Sequence, residues 1–211
     1  ELPNEAVRLI GYGSREIMDG EVLFVGIGVP SLAALAARQL HAPSAVLVYE
    51  SGAIAAVPPV PPLSTGSPSV VEDTGMLASC LGVFAMLQQG SFDLGLLSAA
   101  QVDRHGNLNS TALGSYEKPK GRLVGSGGAH DIAVLARAAV ILMPHDPRRF
   151  VPEGDFATSP GLYGSTGNGT GDARYSGPRC VVTPRARFTF EAGELTLAAL
   201  SLIHISEPTR P

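Results

Sequence analysis

The chain has 211 residues, 45% hydrophobic and 16% charged, with a formal net charge of −4. That length and apolar fraction suffice for a full core and argue against disorder. The mild acidity excludes the basic field of a nucleic-acid binder, and no apolar run is long enough to span a bilayer, so neither nucleic acid nor a membrane is an expected partner.

Residues 4–18 predict a first helix. Asn4 can cap it and Val7, Ile10 and Ile17 can share a face, whereas Gly11 and Gly13 weaken it. After the break at Gly20, EVLFVGIG reads as a short strand that is apolar throughout, as in a parallel sheet buried on both faces. Pro30 suits a helix start, and the Ala- and Leu-rich SLAALAARQLHA should be that helix. AVLVY is the next buried strand and runs directly into Glu50-Ser51-Gly52.

A Pro-rich loop follows, from Pro58 to Pro68, irregular backbone able to cover a site. Residues 72–88 read as a helix, FDLGLLSA as a strand, and Asp103–Asn107 as a turn in which Gly106 takes positive φ. Residues 128–137 read as a helix and AAVILM as a strand. Residues 161–179 (GLYGSTGNGTGDARYSGPR) are Gly-rich and loop-like, and CVVT, RFTF and ELTLAA are strand-like. The alternation of strand and helix predicts an α/β fold: an open, mostly parallel sheet flanked by helices, with a short antiparallel C-terminal extension.

Glu50 is the first candidate for chemistry. It follows VLVY at the carboxyl end of a buried strand, the edge where open α/β sheets bind ligands. The small residues Ser51, Gly52 and Ala53 leave it accessible. Two readings stay open: a covalent nucleophile toward an acyl group, or a capping or ion-paired acid. Gly125-Ser126-Gly127-Gly128-Ala129 precedes a helix, and the amides of Gly127 and Gly128 can approach a phosphate or a developing oxyanion closely. A plain turn is the alternative.

Gly26 and Gly28 open the second helix like a dinucleotide fingerprint but lack its third glycine, so NAD is not expected; close backbone approach to a substrate remains. Gln101 can point an amide into a site at a strand end. His105 lies in the following turn and reads as solvated. His41, His130 and His145 lack metal spacing, and no metal is expected. Arg148-Arg149 can hold an acid or make a surface or subunit contact. Cys80 and Cys180 both sit in apolar stretches and read as buried small hydrophobes, which fits a reducing, cytoplasmic setting.

VGIGVP, VYESG, AAQVDRHGNLNSTALG, GSGGAHDIA and HDPRRF followed by ATSPG occur in the order seen in class I CoA-transferases, and over residues 3–199 the chain resembles the B subunit of glutaconate CoA-transferase. The resemblance implies that Glu50 is the catalytic glutamate and that the Gly128 amide helps hold the thioester oxygen. Gly26, Gly28, Ser51, Gly52, Gln101, Gly125, Gly127 and Ala129 then line the substrate. A CoA thioester and a carboxylic acid are the implied substrates, with no bound cofactor. The implied partner is an A subunit of similar fold that supplies much of the pocket. Glu50 would attack an acyl-CoA, pass through a mixed anhydride and carry CoA as a glutamyl thioester.

Two departures stand out. The stretch after Gly161 is Gly-rich where an ordered substrate-side loop is expected. Residues 200–211 (LSLIHISEPTRP) resemble the translation of a sequencing adapter. One domain over residues 1–199, incomplete at its C-terminus, is therefore expected, with 200–211 an artefactual tail in which His204 and Glu207 carry no functional weight. Rival readings are an acyl-CoA or ring-cleaving hydrolase on the same fold, and a non-catalytic phosphate or effector-binding module.

Overall fold

The computed structural model describes residues 3–162 and 177–201. Helix α1 (Asn4–Ser14) is followed by strand β1 (Val22–Val25), helix α2 (Val29–Leu40) and strand β2 (Val46–Val48). Two short strands follow, β3 (Ala53–Ile54) and β4 (Met76–Leu77), then α3 (Cys80–Gln88) and β5 (Leu94–Leu97). Next come β6 (Gln101–Asp103), β7 (Leu108–Asn109), β8 (Ala112–Leu113), β9 (Gly121–Arg122), α4 (Ala129–Leu135) and β10 (Ala139–Leu142). The described chain closes with β11 (Phe150–Val151), β12 (Pro178–Val182), β13 (Ala186–Glu191) and β14 (Glu194–Leu200).

Among the described residues, nine strands form one sheet in the order β14-β13-β12-β10-β5-β1-β2-β3-β4. Neighbours from β12 to β2 run parallel. The outer pairs are antiparallel on both sides. The predicted extension is β12–β14; the β3–β4 edge was not foreseen. Strands β1, β5 and β10 are buried almost throughout because helices cover both faces. One face packs the Ala-rich side of α2 and Leu9 of α1 against Leu23, Leu47, Leu94 and Leu142. The other packs Val83 and Leu87 of α3 and Ile132 of α4 against Phe24, Val48 and Ile141.

Three helices are shorter than predicted, α4 by three residues, at Ala129–Leu135 in place of 128–137. α1 stops at Ser14, whose hydroxyl donates back to the Gly11 carbonyl at 2.9 Å. Gly13 sits so close to the sheet that a Cβ there would lie 2.8 Å from Leu142. Of residues 72–88 only Cys80–Gln88 are helical. The preceding backbone is engaged elsewhere: Gly75 N donates to Ile54 O at 3.0 Å, and Met76 and Leu77 pair with β3. Ser79 then caps α3, its hydroxyl accepting from Gly82 N at 3.0 Å.

The predicted turn at Asp103–Asn107 forms, with both Asp103 carboxylate oxygens accepting from the turn and Gly106 at φ +81°. It joins β6 and β7, which with β11 make a three-stranded sheet. Of the predicted loop at 161–179, residues 163–176 lie outside the described residues, as do 202–211 of the predicted tail. Leu200 pairs with Ala186, and the Ser201 hydroxyl lies 2.6 Å from that of Tyr12.

Candidate active site

The parallel strands β12, β10, β5, β1 and β2 end at a common rim. The chain adds β2 on one side of β1 and β5 on the other, so β1 is where the strand order reverses. At such a point the carboxyl ends of neighbouring strands leave a crevice. The last pair of the β1–β2 register is Phe24↔Val48, and Gly26 and Glu50 each follow it by two residues.

Glu50 is held by its neighbours in sequence. Tyr49 is fully buried, and its hydroxyl lies 2.7 Å from that of Ser31 in the first turn of α2. Burial pushes the phenol up, so it stays neutral. A tight turn follows, in which Tyr49 N donates to Ala53 O and Gly52 N to Tyr49 O, each at 2.9 Å. Gly52 has φ +113°, and a Cβ there would lie 1.9 Å from Ala78 O, so only glycine fits. Ser51 is exposed and Glu50 half-buried. Among the described residues the Glu50 carboxylate makes no hydrogen bond or ion pair.

The glycine loop reaches the same place. Gly125 is clamped to Ser110 by two bonds, Gly125 N to Ser110 O at 2.8 Å and Ser110 Oγ to Gly125 O at 2.9 Å. Gly125 and Gly127 have φ of +86° and +45°. Gly128 is buried and begins α4, with Ala129 its first residue. A Cβ on Gly128 would lie 2.8 Å from Phe84 Cζ and 3.5 Å from Glu50 Cδ. Residues far apart in the chain thus meet, and the N–H groups of Gly127 and Gly128 have no backbone acceptor among the described residues.

The other predicted residues divide. Gly28 caps α2, its carbonyl accepting from Leu32 N at 3.1 Å. Gly26 serves the sheet: its N–H donates to Leu96 O at 3.0 Å, and a Cβ would lie 2.7 Å from that oxygen. The Gln101 amide is engaged within the chain. It donates to Asp155 at 2.9 Å and accepts from Asn109 Nδ2 at 2.7 Å and Asp155 N at 3.1 Å. Buried Asn109, joined to this network and to Ala112 O, was missed. So was Thr158, whose hydroxyl accepts from Ser110 N at 2.9 Å. Their signal was the strings NLNS and ATSPG themselves, which meet here and hold the residue that clamps Gly125.

An open cleft of about 570 Å³ runs from Ser98–Ala100 after β5 to Arg122–Val124 before the glycine loop. Arg149 lines it and donates to the carbonyls of Ala99 and Ala100. Arg148 pairs with its neighbour Asp146 at 2.6 Å on the surface, holding that carboxyl at about 2. His130 Nδ1 lies 3.1 Å from Thr158 O. Cys180 is buried as predicted, but Cys80 is exposed, because only one side of α3's first turn meets the core. Burial and the charge of Glu16 push the Cys180 thiol up to about 12. A second cavity, of about 220 Å³, is lined by Tyr12, Arg15 and Glu16 and by residues of the β12–β14 extension, and contains neither Glu50 nor the glycine loop.

No helix among the described residues is long and apolar enough to cross a membrane. No group of three or more His, Cys, Asp or Glu among them could hold a metal ion.

Comparison with known proteins agrees with this fold. The family model described as Coenzyme A transferase matches residues 12–173. The B subunit of 3-oxoadipate CoA-transferase from Pseudomonas knackmussii is 42% identical over 196 residues, 90% of this chain and 74% of that one. The B subunit of glutaconate CoA-transferase from Acidaminococcus fermentans is 32% identical over 194 residues, 84% and 69% of the two chains. The crystal structure of the Acidaminococcus fermentans glutaconate enzyme superposes with a TM-score of 0.85 at 29% identity, covering 95% of this chain and 80% of that one. The expectation of a glutaconate-type subunit therefore widens to the family, since the 3-oxoadipate relative is the more similar of the two.

Proposed function

The chain belongs to the coenzyme A transferase family, and from that premise we propose that it is the B subunit of a class I CoA-transferase in which Glu50 carries CoA as a covalent thioester. One observation carries the reading: an unpartnered, half-buried carboxylate whose Cδ is 3.5 Å from the Cβ position of Gly128. A carboxylate beside a glycine loop can attack an acyl-CoA carbonyl while the loop's amides take up the charge developing on oxygen.

Glu50 adds to the thioester carbonyl, thiolate leaves, and a mixed anhydride remains. The thiolate then attacks the Glu50 carbonyl, releasing the donor acid and leaving glutamyl-CoA. The acceptor acid reverses both steps. Anhydride and thioester are close in energy to the substrates, and binding of the remote CoA moiety can offset distortion at the reacting carbon. Both relatives' names specify dicarboxylates, which supports a dicarboxylic acid as the substrate class.

The same relatives are named as B subunits, and an A subunit is the proposed partner. Exposed Leu77 in β4, Leu81 in α3 and Val124, which lines the open cleft, are surface for such a partner to cover. Water must be kept from the intermediate, and the Pro58–Pro68 loop is proposed to contribute.

The test is chemical trapping in the complex with the A subunit. Acyl-CoA followed by borohydride should convert Glu50 to an alcohol, read by peptide mass. Glu50→Ala should abolish both the label and CoA exchange; label surviving in that variant refutes the assignment. Net thioester hydrolysis without exchange would favour the hydrolase reading.

A further inference from the structure

We infer that Phe84 is a positioning residue that sets the Gly128 amide against Glu50 and keeps water from the thioester formed there. The inference rests on the reading of Glu50 as the covalent carrier. It starts from one small volume beside Gly128, the space a side chain at that position would take. Phe84 Cζ and Cε1 border this space at 2.8 and 3.3 Å from the Cβ position, and Glu50 Cδ borders it at 3.5 Å. The ring edge therefore fills a gap that is otherwise next to the reacting carboxyl.

The ring is braced from the core. Its centroid lies 5.7 Å from that of Phe24 in β1, which lies 5.1 Å from that of Phe92. Phe24 and Phe92 are fully buried, and Phe84 is half-buried at the end of this column. Tilted aromatic contacts of this kind have preferred geometries and resist sliding. Phe84 also sits on α3 where that helix packs against α4, whose first turn Gly128 opens. The column thus transmits the position of β1 to the glycine loop. The Ser110 clamp holds the loop at Gly125, and Phe84 holds it at Gly128.

Two consequences follow for the reaction. If the ring is shortened, the loop gains freedom and the amide no longer meets the developing oxyanion at a fixed distance; displacements of about 1 Å in such sites can cost on the order of 100-fold in rate. The gap also admits water. Its oxygen can then bond to the Glu50 carbonyl carbon as the C–S bond breaks, giving Glu50 carboxyl and free CoA thiol, hydrolysis in place of transfer.

The experiment compares wild type, Phe84→Leu and Phe84→Ala in the complex with the A subunit, measuring CoA exchange, net hydrolysis and borohydride trapping on Glu50. Phe84→Ala should lower kcat for exchange about 10- to 100-fold, leave KM for the acyl-CoA within about three-fold, and raise hydrolysis per exchange event. Phe84→Leu, which keeps most of the apolar volume, should lie near wild type. A general loss of folding lowers exchange and hydrolysis together and does not change their ratio, so an unchanged ratio in all variants overturns the inference. If Phe84→Ala fails to assemble, Phe84→Val, which leaves more of the gap unfilled than Leu does, carries the same decision: its ratio should rise above those of wild type and Phe84→Leu, and a ratio equal to theirs overturns the inference. Absence of a trapped adduct in wild type overturns the Glu50 reading itself, a distinct outcome from a trapped adduct with no response at position 84.

Discussion

A methyl group at position 128 has no room: it would meet the Phe84 ring at 2.8 Å while backing onto Glu50. The backbone there is ordinary, φ −80° and ψ −1°, so Gly128 is required for space and not for conformation. Gly128→Ala must push the ring or the loop aside. Overpacking of this kind costs about 1–3 kcal/mol, whereas losing one oxyanion donor costs on the order of 100-fold or more in rate. CoA exchange in Gly128→Ala is therefore expected to fall about 100-fold while the thermal midpoint drops only a few degrees. Steady-state kinetics and a melting curve check both, and activity within about three-fold of wild type would remove Gly128 from the chemistry.

At the level of elements, α3 connects the site to the sheet's β3–β4 edge. Ala78 N donates to Gly52 O at 2.8 Å, Ser79 caps the helix, and Phe84 follows one turn later. The helix is short, only Cys80–Gln88, so its cap is a large part of what holds its first turn. Ser79→Ala should cost about 1 kcal/mol of stability and loosen the turn that Gly52 packs against. Denaturant unfolding measures the first effect. A Ser79→Asp variant, which restores an acceptor, should recover the midpoint; failure to recover would show that the hydroxyl acts otherwise than as a cap.

Across the whole molecule, the C-terminal strands are tied to the N-terminal helix by a charged cluster. Glu16, just beyond α1, accepts from Arg187 Nε at 2.6 Å and Arg187 Nη2 at 3.1 Å, and Cys180 Sγ lies 3.4 Å from its carboxylate. Arg179 donates to the Glu16 carbonyl and lies 3.7 Å from Glu21. Burial pushes the Glu16 carboxyl up, but the hydrogen bond and charge of Arg187, aided by Cys180 and Arg179, outweigh it and hold the group below 4.5. A carboxyl depressed in the fold stabilises it above the unfolded value and loses that contribution as pH falls through the folded one. Glu16→Gln should cost about 1–3 kcal/mol at neutral pH and flatten the loss of stability below about pH 4.5. Unfolding at neutral pH and near pH 4 tests this; an unchanged slope excludes Glu16 as its source.

By itself the sequence determined the parallel core, because apolar runs such as VLFV and VILM suit only strands covered on both faces, and it picked out Glu50 and Gly128, because an acid after one strand and glycines before a helix fall at the rim of any such sheet. The turn at Asp103–Asn107 was equally legible, being set by its own side chains. Only the tertiary structure decided the rest. Residues 72–79 have apolar content compatible with a helix, but β3, distant in register, takes their hydrogen bonds. Gln101 looked free at a strand end, yet Asn109 and Asp155 claim its amide. Phe84 gave no signal, since α3 is apolar on nearly every side and only the approach of α4 distinguishes the face that meets Gly128. Local pattern governs which elements form, whereas contacts between residues far apart in the chain govern which of their side chains converge.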